Sequence, residues 1–183
     1  MSYSIQIGSF RYLTQALAAR DLLIQNGLKD VYVVPLELDS LGKWNRLYLG
    51  MYASSGRGDT ALLNLEPALR RAGIKNSTER NAITRHTPLT LMVAEAASPD
   101  SLQNVKKKLE SNMIPAYVVQ MAAEDSVHQP LYRLYSGAFE NEEQAIFLRN
   151  QIFNLGVRAM VVEREGRAER KEVPQAEPTS PPV

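Results

Sequence analysis

The sequence predicts an α+β chain of two consecutive β-α-β-β-α-β domains, each a four-stranded antiparallel sheet with two helices on one face. Three observations lead there. Tyr3, Ile5 and Ile7 alternate with Ser4 and Gln6, the period of a strand with one buried face, and an amphipathic helix follows. The same order returns from Leu89, where Leu89, Leu91 and Val93 alternate with Thr90, Met92 and Ala94. The return strands also match. Asn45 to Tyr52 and Tyr132 to Phe139 each carry Arg, then Tyr two places on, Gly two further and an aromatic two beyond that.

The 183 residues suffice for one large or two small domains, and 44% hydrophobic with 22% charged residues indicates an ordinary globular chain. A formal charge of +1 gives no drive toward nucleic acid, membranes or acidic ligands. With no cysteine, neither a disulfide framework nor a thiolate metal site can form. No apolar run approaches a membrane span, and no signal peptide opens the chain, since strand residues begin at Tyr3. A strand so close to Met1 is what a fragment cut at a domain boundary shows, and a short natural N-terminus would look the same.

In the first half the helix is expected from about Leu13 to Asn26, with Thr14 as a cap and Gly27 as a stop. Val31 to Leu38 reads as a strand, at a sheet edge because Pro35 cannot donate to a ladder. Leu41-Gly42-Lys43 is the expected turn. Trp44 to Tyr52 returns with Leu47, Leu49 and Met51 on one face and Arg46, Tyr48 and Gly50 on the other. Ala53 to Gly58 reads as a loop and Asp59 to Ala72 as a helix, kinked or restarted at Pro67. Ile74 to Arg80 is a poor candidate for the fourth strand, and Asn81 to Thr87 reads as linker.

In the second half, Pro99 to Met113 is an expected helix capped by Ser98. Strands follow at Ala116 to Met121 and Leu131 to Phe139, then a helix at Glu142 to Leu155 and a strand at Val157 to Val162. The expected division is 1–80 for the first domain, 81–87 for the linker, 88–164 for the second domain and 165–183 for a charged, then Pro-rich, disordered tail.

A β-α-β-β-α-β unit with right-handed crossovers has the ferredoxin-like strand order 4-1-3-2, with both helices on one face. The other face is then open. It carries Ser4, Gln6, Arg46 and Tyr48 in the first domain and Thr90, Met92, Arg133 and Tyr135 in the second. One solvated face is normal for an antiparallel sheet and is not by itself a sign of function.

The pattern Tyr-x-Ile-Gln-x-Gly-Ser-Phe, an Ala-rich helix, a hairpin, Arg-x-Tyr-x-Gly-x-aromatic and a helix ending in Leu-x-x-x-Gly resembles the SPOR (sporulation-related) domain. The first half carries it at Tyr3, Ile5, Gln6, Gly8, Ser9, Phe10, Ala16, Leu23, Gly27, Arg46, Gly50, Tyr52, Leu69 and Gly73. The second keeps Leu109, Tyr132, Arg133, Gly137, Phe139, Ala145 and Gly156. The resemblance implies a tandem pair of RNP-like folds that bind peptidoglycan, above all glycan strands stripped of stem peptides at bacterial division sites. It implies a place in the cell envelope, periplasmic or otherwise outside the cytoplasmic membrane, and division or cell-wall proteins as partners. The family's glycan-contacting Gln of strand one transfers to Gln6. Met92 stands where the second copy would carry that Gln, and Ala94-Glu95-Ala96 replaces Gly-Ser-Phe, so the second copy is expected to have diverged.

A hydroxyl- and acetamido-rich glycan needs flat apolar surfaces and amide or guanidinium donors. Tyr48 offers a ring, Gln6 an amide, and Arg46 a donor for acetamido or lactyl oxygens. The expected glycan contacts are therefore Gln6, Ser4, Arg46, Tyr48 and Ser9, with Arg133 and Tyr135 as weaker counterparts. Plain alternatives stand beside them: a solvated Gln6, cross-strand packing for the tyrosines, pairing of the arginines with nearby carboxylates, a half-buried plug for Trp44. His86 and His128 form no metal spacing, no phosphate loop is present, and no glycosidase carboxylate pair can be read, so no catalysis, cofactor or metal is expected. Strand one lacks the exposed aromatics and the basic surface of an RNA binder, so no nucleic acid is expected, nor membrane contact by this chain itself. The alternative function is a protein–protein scaffold that kept the fold and lost the sugar site, above all in the second domain.

Overall fold

The computed structural model describes residues 2–38, 41–71, 82–121, 130–165 and 167–168. The first domain contains β1 (Tyr3–Phe10), α1 (Leu13–Gln25), β2 (Val31–Leu38), β3 (Gly42–Tyr52), α2 (Ser55–Arg71) and β4 (Ile83–His86). The second contains β5 (Leu89–Ala96), a 3-10 turn (Pro99–Leu102), α3 (Gln103–Ser111), β6 (Tyr117–Gln120), β7 (Tyr132–Phe139), α4 (Glu142–Asn154) and β8 (Met160–Glu163). A short β9 (Arg167–Ala168) follows. The sheet orders are β2-β3-β1-β4 and β8-β5-β7-β6-β9, so both domains have the expected 4-1-3-2 plan, antiparallel throughout. Pro35 lies on an edge strand, as its missing N–H requires.

The repeat extends to the irregularities. Each central pair slips twice, at matching places. β1 and β3 slip between Tyr3 and Ile5 and between Gln6 and Gly8, and β5 and β7 between Leu89 and Leu91 and between Met92 and Ala94. The first slip puts an extra residue on β3 or β7 beside a glycine at positive φ, Gly50 (69°) or Gly137 (80°), a glycine bulge. The bulge reverses the side-chain alternation. Met51, expected beside Leu49, instead meets Arg164, and Tyr52 takes the helix side and packs with the core.

Several local expectations are corrected. Thr14 does not cap α1; the cap position is Tyr12, without a side-chain bond, and Ser98 likewise makes no cap bond. The strand β3 already includes Gly42 and Lys43, with Gly42 opposite Leu38, so these two residues belong to the strand and not to the turn. Helix α2 begins at Ser55 because Ser54 Oγ accepts from the Arg57 N–H at 3.4 Å and fixes the first turn. The helix runs on through Pro67 to Arg71. The fourth strand falls within the expected linker, while 72–81 lies outside the described residues. Ile83 to His86 passes for linker because it is short and polar. It is held by its neighbours: Thr84 Oγ1 donates to Asp59 Oδ1 at 2.6 Å, and a Cβ on Gly58 would come within 2.7 Å of the Thr84 methyl. Only Thr87 and Pro88 then join the domains. Arg167 and Ala168, expected in a disordered tail, pair with Gln120 and Val119.

One core lies between the first sheet and its helices, with Ile5, Leu23, Val33, Leu47 and Leu69 buried. The second surrounds Leu91, Leu109, Leu134, Phe139 and Leu148, and it continues into Val34, Leu36 and Tyr48 of the first domain. Strand β2 is therefore buried on both faces: Val31 and Val33 pack under the first domain's helices, whereas Val34 and Leu36 pack against the second domain.

Candidate functional site

The face expected to be open is closed. Ser4 and Tyr48 have no exposed surface, and neither do their counterparts Thr90 and Tyr135. The open-face expectation fails because β2 lies against β7 and α4 and the two sheet faces meet through tyrosines. Tyr48 stacks on Tyr32 at 5.9 Å, Tyr32 meets Tyr117 at 5.1 Å, and Tyr117 meets Tyr135 edge-on at 6.0 Å. The contact has an approximate internal symmetry. Tyr32 OH and Ser4 Oγ both donate to the Gly50 carbonyl, at 3.3 and 3.0 Å. Tyr117 OH and Thr90 Oγ1 both donate to the Gly137 carbonyl, at 2.8 Å each.

Ser4 belongs to a polar knot at the domain junction. Its hydroxyl receives Arg164 Nη2 at 2.6 Å and Thr87 Oγ1 at 3.2 Å, and Arg164 Nη1 reaches Thr87 Oγ1 at 3.0 Å. The Arg164 guanidinium also lies over the Tyr32 ring at 5.5 Å. Burial works against its charge, but Tyr32 and Tyr117 outweigh it and hold the pKa above the usual arginine value. Burial raises the Tyr117 and Tyr48 hydroxyls above the usual tyrosine value. A cleft of about 340 Å³ opens along the seam, with Tyr32, Met51, Lys106, Tyr117 and Arg164 in its wall.

Gln6 and Ser9 are half-buried near the rim. Gln6 Nε2 donates to Ser9 Oγ at 3.1 Å, and Gln6 Oε1 accepts from Arg85 Nε at 2.5 Å. Arg46 Nη1 donates to Tyr48 OH at 3.3 Å and to Glu140 Oε1 at 2.8 Å; Arg85 Nη1 reaches the same oxygen at 3.3 Å. Burial opposes the Arg46 charge, and Tyr48 and Glu140 more than offset it. The structure thus joins Gln6, Ser9, Arg46 and Tyr48 in one network, and places Ser4 apart in the junction knot. In the second domain, Arg133 donates to Glu95 Oε2 at 2.6 Å, which holds its pKa up, and Tyr135 is enclosed. Trp44 is half-buried, with Nε1 on the Leu41 carbonyl at 3.0 Å and Arg11 over its ring at 5.2 Å.

Arg85, Glu140, Arg164, Tyr32 and Tyr117 escape the sequence reading. One signal was available: Tyr32, Val34, Leu36 and Leu38 are apolar on what should have been the wet face of β2. The His86 ring lies against Tyr3 at 4.8 Å, tilted by 39°, and His128 lies outside the described residues. Among the described residues no cluster of three His, Cys, Asp or Glu side chains could hold a metal ion. No described helix is long and apolar enough to cross a membrane.

No curated protein and no solved structure matches the chain significantly. The family model of the SPOR domain matches it twice, over residues 2–74 and 86–163, the first span holding β1 to β3 with α1 and α2, the second β5 to β8 with their helices. The chain therefore belongs to the SPOR domain family, a family of peptidoglycan-binding modules found in cell envelope proteins, and carries two copies in tandem.

Proposed function

We propose that this chain is a non-catalytic module that binds denuded glycan strands of peptidoglycan in the bacterial envelope, outside the cytoplasmic membrane, in proteins acting at division. The observation that carries the reading is the family match over a first domain that keeps Gln6 at the strand-one position, half-exposed, with Ser9, Arg85 and Arg46 around it. The amide supplies a donor and an acceptor, the arginines supply donors, and no bond-breaking step is required of them. In the closed arrangement a glycan reaches Gln6, Ser9 and Arg46 from the rim. Ser4 and Tyr48 become contacts only when the domains part. The second copy, with Met92 in place of the strand-one Gln, serves as a packing partner.

A second reading is favoured by the burial of Ser4 and Tyr48: a scaffold in which one copy's ligand face has become the seat of the other, leaving outer surfaces for wall or division proteins. Co-sedimentation of the full chain with purified sacculi, before and after amidase treatment, separates the two. Pelleting that rises with amidase treatment is expected for the glycan module. Absence from both pellets sustains the scaffold.

A further inference from the structure

We propose that Arg46 and Arg85 form a carboxylate-holding site on the first sheet face, that its ligand group is the free lactyl carboxylate of a peptide-stripped muramic residue, and that Glu140 of the second domain occupies it as an internal competitor. The proposal rests on the glycan reading above and adds what selects the stripped strand and what blocks its seat.

The sheet register sets the site. Arg46 on β3 stands opposite Ser9, and Arg85 on β4 opposite Ser4, so the two guanidiniums flank Gln6 from either side of β1. Both place Nη1 on the same Glu140 oxygen, at 2.8 and 3.3 Å, while Arg85 Nε takes the Gln6 amide oxygen. Two cations held this close need an anion between them, and charge-assisted bonds to a carboxylate are the strong kind. Two arginines against one carboxylate leave the site one positive charge in excess. Their side chains are 12% and 31% exposed and that of Glu140 31%, so the site lies at the rim, open to exchange with an outside carboxylate.

Glu140 is delivered from outside the face. It follows β7 and precedes α4, and its N–H donates to Gln144 Oε1 at 3.1 Å, while Asn141 caps the helix. Its carboxylate therefore arrives on a fixed corner of the other domain, as a ligand group would.

The chemistry of the stripped strand supplies the match. In peptide-bearing glycan the lactyl carbon is an amide. Hydrolysis of that bond takes up one water, releases the stem peptide as an amine and leaves a carboxylate on the muramic residue. An arginine pair binds the anion strongly and the neutral amide weakly. Arg46 and Arg85 are accordingly specificity-determining residues. Glu140 makes the closed chain self-blocked at this site, to be displaced where free lactyl carboxylates are dense.

The test is calorimetric titration of the full chain with soluble glycan fragments from amidase-treated walls, and with the same fragments after carbodiimide and ammonia convert their carboxylates to amides. Glu140→Gln is expected to bind the carboxylate form about fivefold or more tighter than wild type, and Arg85→Gln about fivefold or more weaker. Amidated fragments should bind wild type weakly and show no response to either substitution. Arg164→Ala loosens the seam without touching the arginine pair. If it gives the same gain as Glu140→Gln on both fragment forms, the gain comes from domain opening and the carboxylate assignment fails. Equal binding of both forms by wild type and Glu140→Gln also overturns the proposal, while leaving glycan binding intact. Failure of wild type and Glu140→Gln to bind either form overturns both. Thermal denaturation of each variant checks that it is folded.

Discussion

Gly50 and Gly137 are each constrained twice. Both lie at positive φ, and a Cβ would collide with the aromatic two residues on, Tyr52 or Phe139, whose ring lies over the bulge. The repeated Gly-x-aromatic motif is thus a packing device. Gly137→Ala is expected to destabilise the chain by about 1–3 kcal/mol in urea unfolding. Met113 shows the reverse case. It ends α3 at φ 60°, where Gly27 and Gly156 end α1 and α4 at 86° and 71°. Because Met113 is 46% exposed, Met113→Gly should relieve backbone strain with little packing lost, stabilising the chain by about 0.5–1 kcal/mol in the same assay. Burial raises the pKa of Tyr48 and Tyr117 above 10.0 in the folded chain. A raised pKa means that the folded state holds the proton more tightly, so their contribution is whole below pH 10 and declines above it. Melting temperature should fall above pH 10, and more shallowly for Tyr48→Phe, which has no proton to lose. At this scale Gln6 stands out in the sequence because its neighbours form a motif. Arg85 does not, since one arginine in a short polar segment carries no local signal and its partners Gln6 and Glu140 lie 79 and 55 residues away.

Among the elements, β1, β3 and β5 were readable because their apolar residues alternate with period 2, and β7 because it repeats the motif of β3. Strand β4 was not, because four residues are too few for periodicity and its stability comes from Asp59, Gly58 and the Tyr3 ring. Strand β2 read as a strand, but its second apolar face went unused in the reading; that face is the seat of the second domain. Leu36 sits there without exposed surface. Leu36→Ala should cost about 2–5 kcal/mol in urea unfolding, the range of a fully buried leucine. An open wet face would make the same change nearly neutral.

At the scale of the whole molecule, the two copies are joined by two residues and by the bonds of Ser4, Thr87 and Arg164, so they pack as a pair. The fold of each copy was legible from its own pattern. Their mutual placement was not, because Arg164 directly follows β8 at the border of a charged segment, where one arginine carries no local packing signal. Under the proposed function, that placement decides which of the proposed contacts a glycan would reach first, with Gln6 foremost among them. The most direct test is therefore Gln6→Ala in the full chain, measured by binding to amidase-treated sacculi. Loss of the amide's hydrogen bonds should weaken binding about three- to tenfold. Binding equal to that of wild type would contradict the assignment of the first sheet face as the glycan site.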